Sequence, residues 1–247
     1  MRFAVIADIH GNAFALKAVL ADMDRLGIET AVNLGDFFSG PLDAAGTAAM
    51  LMERNFVSIR GNHDRHLIEQ SPADMGPSDR TAFNQLGKAH LDWISDLPQT
   101  CVIHDDVFAC HGTPDSDNTY WLERVEQDGT VRSATLSEME KQGQGIEASL
   151  ILCAHTHIPR CVRLSDGRMI VNPGSVGCPA YDDDTPVYHR MQTGTPNASY
   201  AVIENDRDAW IVSFRSVPYA SDQASQLAAA TGRPDWAHAL ATGWFPQ

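Results

Sequence analysis

Lysine is scarce in this 247-residue chain, occurring only at positions 17, 88 and 141. Eighteen basic residues stand against 32 acidic ones, leaving a formal charge of −14. Binding the phosphate backbone of a long nucleic acid needs clustered Lys and Arg, so that class of partner is not expected. Long apolar runs are also missing, which argues against a membrane span. The N-terminus, Met1-Arg2-Phe3-Ala4-Val5, runs straight into a strand pattern without a secretory leader. The five cysteines (101, 110, 153, 161 and 178) are odd in number and show no Cys-x-x-Cys spacing, so a reduced cytoplasmic protein is expected. Cys110 and Cys153 fall inside apolar runs and are read as small buried hydrophobes. No Gly/Ser-rich or Pro-rich linker divides the chain and no internal repeat is evident, so residues 1–247 are read as a single domain.

Five short apolar runs are present, at residues 3–7, 30–34, 56–59, 107–110 and 150–154. Each has the length and β-branched or aromatic content of a buried strand. Each is followed directly by chemistry: Asp8-Ile9-His10, Gly35-Asp36, Gly61-Asn62-His63-Asp64, His111-Gly112 and His155-Thr156-His157. Ligands bind at the carboxyl ends of strands in open α/β sheets, so groups scattered over 150 positions can converge on one crevice.

Between the runs, Leu16, Val19, Leu20, Met23 and Leu26 recur at helical spacing after Asn12, with Gly27 as the stop. A second helix is expected from Pro41 to Glu53. The opening third therefore reads β-α-β-α-β, which implies parallel strands with right-handed crossovers. Residues 65–98 read as mostly helical, with Asp79 as a cap, and a short helix is expected at 133–142. Hairpins are expected at 161–164 with 168–171 and at 200–204 with 210–214. Residues 178–199 read as a long Pro/Asp/Thr loop bordering the crevice, and helices close the chain near 221–231 and 235–242. A largely parallel sheet followed by antiparallel strands predicts a four-layer α/β/β/α sandwich, two mixed sheets packed face to face with helices outside.

Residues two apart on an extended backbone face the same side, so Asp8 and His10 can address one site. Asp36, on a turn where Gly35 lets the backbone come close, can bridge two cations through its two oxygens. Neighbouring Asn62 and His63 point different ways; if Asn62 offers its amide oxygen to a metal, His63 suits a proton donor. His111, His155 and His157 complete two shells of nitrogen and oxygen. Such imidazole-rich shells favour two divalent transition-metal ions, Mn, Fe, Co, Ni or Zn, over Mg or Ca. The other histidines, 66, 90, 104, 189 and 238, lack this context and are assigned ordinary surface or core roles.

Taken in order, these groups resemble the calcineurin-like metallophosphoesterase superfamily. Asp-Ile-His-Gly-Asn at 8–12 and Asn-Pro-Gly-Ser-Val-Gly at 172–177 are similar, further, to its small bacterial and archaeal phosphoesterases. The resemblance implies that Asp8, His10, Asp36 and His157 bind one metal, that Asp36, Asn62, His111 and His155 bind the other, and that His63 is the acid. Phosphoprotein phosphatases and the symmetrical dinucleoside tetraphosphatases similar to them carry Gly-Asp-x-x-Asp-Arg-Gly. Here the stretch is Gly35-Asp36-Phe37-Phe38-Ser39-Gly40-Pro41, without the second Asp that orients the acid or the Arg that grips phosphate. The grip is left to Arg60, Arg65 or Asn12, the last also placed as the N-cap of the first helix.

The expected activity is hydrolysis of a small phosphodiester or nucleotide by water activated between two cations, with His63 protonating the leaving oxygen. A phosphomonoesterase is the alternative. A non-catalytic interaction module, like the retromer subunit of the same fold, would be expected to have lost the acid histidine and ligands, all of which remain here. The expected partner is a small phosphorylated substrate, and self-association is left open.

Overall fold

The computed structural model describes residues 1–104, 106–206 and 209–246. The chain opens with β1 (Arg2–Ile6), α1 (Ala13–Arg25), β2 (Ala31–Asn33), α2 (Ala44–Met52) and β3 (Val57–Ser58). Three helices follow, α3 (Asn62–Glu69), α4 (Pro77–Phe83) and α5 (Lys88–Asp96). Then come β4 (Thr100–Ile103), β5 (Val107–Cys110), β6 (Glu123–Val125), β7 (Val131–Ser133), α6 (Leu136–Gln142) and β8 (Leu150–Leu152). The remainder is β9 (Arg160–Arg163), β10 (Met169–Asn172), β11 (Ala180–Asp183), β12 (His189–Gln192), β13 (Ala198–Asp206), β14 (Ala209–Val217), α7 (Ser221–Ala230) and α8 (Pro234–Thr242).

Two five-stranded mixed sheets form the centre, in the orders β14-β13-β1-β2-β3 and β4-β5-β8-β10-β9. β1, β2 and β3 are parallel, as are β5, β8 and β10; the flanking strands run antiparallel. Strand alternation sorts the side chains between layers. Phe3, Val5 and Ala7 meet Val107, Ala109, Leu150 and Leu152 between the sheets. Ala4 and Ile6 face the opposite way, against α1, α2 and the α3–α5 cluster through Leu16, Val19, Ala48, Leu67 and Ile94. Behind the second sheet, Ile151, Cys153 and Ile170 pack on Trp121 and Met139 of a thinner layer containing α6. The expected α/β/β/α sandwich is what folds.

Several local expectations need correction. α2 begins after Asp43, whose carboxylate accepts the Gly46 N–H, so Pro41 lies before the cap. The 65–98 stretch is three helices, the first already starting at Asn62, and Asp79 lies inside α4 behind Pro77. The polar 113–147 segment contains the β6–β7 hairpin, and its helix starts later than expected, where Thr135 and Glu138 form a capping box. Residues 178–199 are not a plain loop: β11 and β12 pair there, Ala180 with Gln192 through Asp183 with His189. Their sequences, Ala-Tyr-Asp-Asp and His-Arg-Met-Gln, lack the alternation that marks a half-buried strand, so their pairing is set by tertiary contact.

Candidate functional site

All six parallel strands end on the same side, and the expected residues follow them: Asp8 and His10 after β1, Asp36 after β2, Asn62 and His63 after β3, His111 after β5, His155 and His157 after β8. Asp8 and His10 do converge, but not by strand alternation. Their φ angles are +53° and +52°, and Asp36, His155 and His157 are likewise left-handed at +57°, +69° and +61°. Non-glycine residues in this region are uncommon and carry strain, which collects where a side chain must be aimed rather than packed.

The aimed atoms form two adjoining groups, Asp8 with His10 and His157, and Asp36 with His111 and His155, each within 4.8 Å internally. His10 Nε2 lies 3.2 Å from His157 Nε2. Asp36 Oδ2 stands between the groups, 3.3 Å from His111 Nε2 and 4.0 Å from His10 Nε2. Both oxygens of Asp8, Oδ1 of Asn62 and Nε2 of His111 are buried without a hydrogen-bond partner. A buried polar atom left unpaired costs about 1–3 kcal/mol, so several converging orphans on a nitrogen and oxygen donor set fit divalent cations.

Backbone carbonyls orient the rings. Nδ1 of His10, His111 and His157 pairs at 2.7 Å with the carbonyls of Ser39, Leu34 and Cys178 respectively. A proton held at Nδ1 leaves Nε2 as the inward donor atom, the usual arrangement behind a metal-binding imidazole. Asp64 accepts N–H bonds from Asp36, Phe37 and Gly61, tying the turn after β2 to the start of α3. Gly61 passes so close to Asp36 and His111 that a side chain there would collide with both. The 172–177 motif is a clamp: Asn172 donates to the Ala154 carbonyl and Thr156 hydroxyl, while the Ser175 hydroxyl donates to the Asp8 carbonyl. It thereby fastens the turn after β8 to the turn after β1.

The carboxylate partner of His63, unassigned by motif, is Asp79 of α4, with His63 Nδ1 to Asp79 Oδ1 at 2.7 Å. Burial opposes charge on His63, but the Asp36 and Asp79 carboxylates outweigh it and raise its pKa to about 9. Burial likewise opposes charge on His111, yet Asp36 and Asp8 raise it to about 10. His10 and His155 go the other way, to about 4 and about 3, through burial and the neighbouring His157 and His111.

A model of the calcineurin-like phosphoesterase superfamily domain matches residues 1–196. The chain belongs to the calcineurin-like phosphoesterase superfamily. A crystal structure of a metallophosphoesterase from Sphaerobacter thermophilus superposes with a TM-score of 0.76 at 25% identity, covering 99% of this chain and 100% of that one. An uncharacterized protein of Methanocaldococcus jannaschii is 24% identical, with 94% of each chain covered.

In this calcineurin-like domain a cavity of ≈ 830 Å³ opens over the converging side chains. Its walls include His66, Tyr120, Arg233 and Trp236, none of them predicted as site residues. Residues 178–199 do border the crevice, and Asp182, Asp183 and Asp184 line it. Tyr181 donates to the His155 carbonyl at 3.0 Å, and Tyr120 Oη lies 2.9 Å from both Tyr181 Oη and His189 Nε2. His66 and His189 therefore have more specific surroundings than the ordinary roles assigned to them.

The three residues named for gripping phosphate are placed elsewhere. Asn12 caps α1 through its Oδ1, and its amide nitrogen donates to the Gly177 carbonyl and the Tyr219 hydroxyl. Arg65 is held in a two-point pair with Asp117 at 2.7 and 2.9 Å. Arg60, with its Nε buried, is not among the residues lining the cavity. No sequence pattern signals the rest of its lining, because Ser78 of α4, Tyr181 of β11 and Trp236 of α8 reach the site from three separate elements beyond the strand-exit motifs.

Proposed function

We propose that this protein is a dinuclear metal-dependent phosphodiesterase acting on a small phosphodiester or nucleotide. The observation that carries the reading is the cluster of unpartnered, buried ligand atoms of Asp8, Asn62 and His111 beside the His63–Asp79 pair. In this reading Asp8, His10, Asp36 and His157 hold one cation, and Asp36, Asn62, His111 and His155 hold the other. Two transition-metal ions there would supply charge stabilisation of the phosphoryl group and activation of the attacking water.

The protein's own groups do the rest. Asp79 keeps His63 protonated and turned, so that the imidazole can give its proton to the departing alkoxide. Asp36 accepts the His63 backbone N–H at 3.0 Å through Oδ1, tying the acid's helix to the shared carboxylate. The enclosed volume and the carboxylates of Glu123, Asp182, Asp183 and Asp235 around it suit a small substrate better than a polyanion.

The test is elemental analysis followed by rates on bis-p-nitrophenyl phosphate, p-nitrophenyl phosphate and a nucleotide panel. About two metal equivalents per chain and faster diester cleavage are expected. A protein that takes up no metal would sink the reading, and preference for the monoester would convert it to a phosphomonoesterase. His63→Asn should slow an alkyl diester by about 10²- to 10⁴-fold, a p-nitrophenyl ester far less, and leave the metal content unchanged. Equal slowing of both esters would remove His63 from the acid role.

A further inference from the structure

His63 and His66 lie three residues apart on α3, so their side chains share one face of the helix. α4 brings Asp79 between them. Oδ1 of Asp79 is 2.7 Å from His63 Nδ1, and Oδ2 is 3.4 Å from His66 Nδ1. One nitrogen from each ring and a carboxylate oxygen all fall within 4.8 Å of one another. The two rings stand at 81° with centroids 5.5 Å apart, so they do not stack against each other. The Asp79 side chain is only 7% exposed, whereas those of His63 and His66 are 32% and 22% exposed and line the cavity.

Two imidazoles and one carboxylate, with an open side toward solvent, form the donor set of a zinc site that keeps a free position. This group shares no residue with the two clusters around Asp8 and Asp36. The anionic partner is already buried and pre-placed, and the two histidines come from a single rigid helix, so little ordering is needed on binding.

We propose that His63, His66 and Asp79 form a separate, inhibitory zinc site on the wall of the cavity. Zinc is coordinated by the Nδ1 lone pairs of both histidines and by the Asp79 carboxylate, and the proton that His63 held at Nδ1 passes to solvent. His63 then loses its carboxylate partner and is held as a neutral ligand, so it no longer serves as a proton donor. The binding claim stands by itself; the inhibition rests on the phosphodiesterase reading above.

The experiment compares wild type with His66→Ala, and with His66→Gln as a second variant that retains polar volume. Each is loaded with manganese, dialysed against excess zinc and assayed for bound zinc per chain, with thermal melts to establish folding. The expected result is about one zinc fewer in both variants than in wild type, however much zinc the other clusters take up. In wild type, zinc should slow an alkyl phosphodiester much more than a p-nitrophenyl ester, because only the poor leaving group needs a proton. In His66→Ala that selective inhibition should vanish: added zinc should leave that variant's ratio of alkyl to p-nitrophenyl ester rates where it stood without zinc.

Equal zinc in wild type and variants would overturn the site. Equal slowing of both esters, or selective inhibition that survives in His66→Ala, would overturn the inhibitory role. If wild type hydrolyses neither ester, the phosphodiesterase reading fails, while the one-zinc difference still decides whether the site exists.

Discussion

The strand-exit turns and the cavity rim meet at the same crevice but are built in opposite ways. Each turn is a local device: a short strand ends, the backbone turns left-handed, and a carboxylate or imidazole is aimed inward, as at Asp8, Asp36 and His157. The rim is a long-range assembly in which Ser78 from α4, Tyr181 from β11 and Trp236 from α8 meet around those turns. Groups that must converge on a point charge are placed by stiff, short connections, whereas groups that shape a substrate cavity can come from any element that folds over it. Chemistry should therefore fail sharply on changes in the turns and in graded fashion on changes in the rim.

The largest effect should come from the centre of the turns. Asp36→Asn weakens both ligand groups together, so bound metal and hydrolysis should both fall to background by elemental analysis and assay; retention of either would separate Asp36 from its bridging position.

At the border between the two regions, Asp79→Asn should reduce alkyl diester cleavage by about 10- to 100-fold, the range for a partner that orients a working histidine. Its pH dependence has a definite sign. The Asp79 carboxylate favours the protonated imidazole of His63, so acid catalysis is present below the pKa of His63 and lost as pH rises through it. Removing the Asp79 charge lowers that pKa, and the descending limb of the rate profile should move to lower pH. An unmoved limb would show that Asp79 acts only as packing.

A rim change should be milder. Tyr181→Phe removes the hydrogen bond to the His155 carbonyl, worth about 1 kcal/mol, so metal affinity should weaken by about three- to tenfold in a titration. A loss as complete as that of Asp36→Asn would erase the distinction between turns and rim.

The smallest effect on catalysis is expected far from the crevice. Asp22 on α1 is paired with Arg215 and Arg25 and accepts the Tyr200 hydroxyl. Burial favours its neutral form, but the Arg215, Tyr200 and Arg25 bonds outweigh that and lower its pKa to about 2. Its contribution is therefore complete above about pH 4, the ordinary carboxylate range, and is lost as pH falls through about 2. Arg215 is partly exposed and screened, so Asp22→Asn should cost about 1–2 kcal/mol in a denaturant titration at neutral pH and leave kcat unchanged.

Most of the strand framework was legible because burial on both faces demands uninterrupted apolar runs, such as residues 3–7 and 150–154. The runs also located Asp8, His10, Asp36, Asn62, His63, His111, His155 and His157, since each lies within five residues of a strand end. β11 and β12 were not legible, because Tyr-Asp-Asp and His-Arg-Met carry no strand period. Asn12 does cap α1 as read, but its amide contacts to Gly177 and Tyr219 were not legible, nor was the engagement of Arg65 by Asp117.

By itself, then, the sequence determined the two-sheet sandwich and the order of chemical groups at its strand exits, because hydrophobic period and local turns act over a few residues. The pairing of His63 with Asp79 across 16 positions, of Tyr181 with the His155 carbonyl across 26, and the approach of Trp236 to His10 at 5.9 Å between ring centroids were decided by tertiary structure. Their physical cause is the packing of α4, β11 and α8 over the crevice. Such packing depends on how whole elements fill space, which no spacing of residues along the chain records.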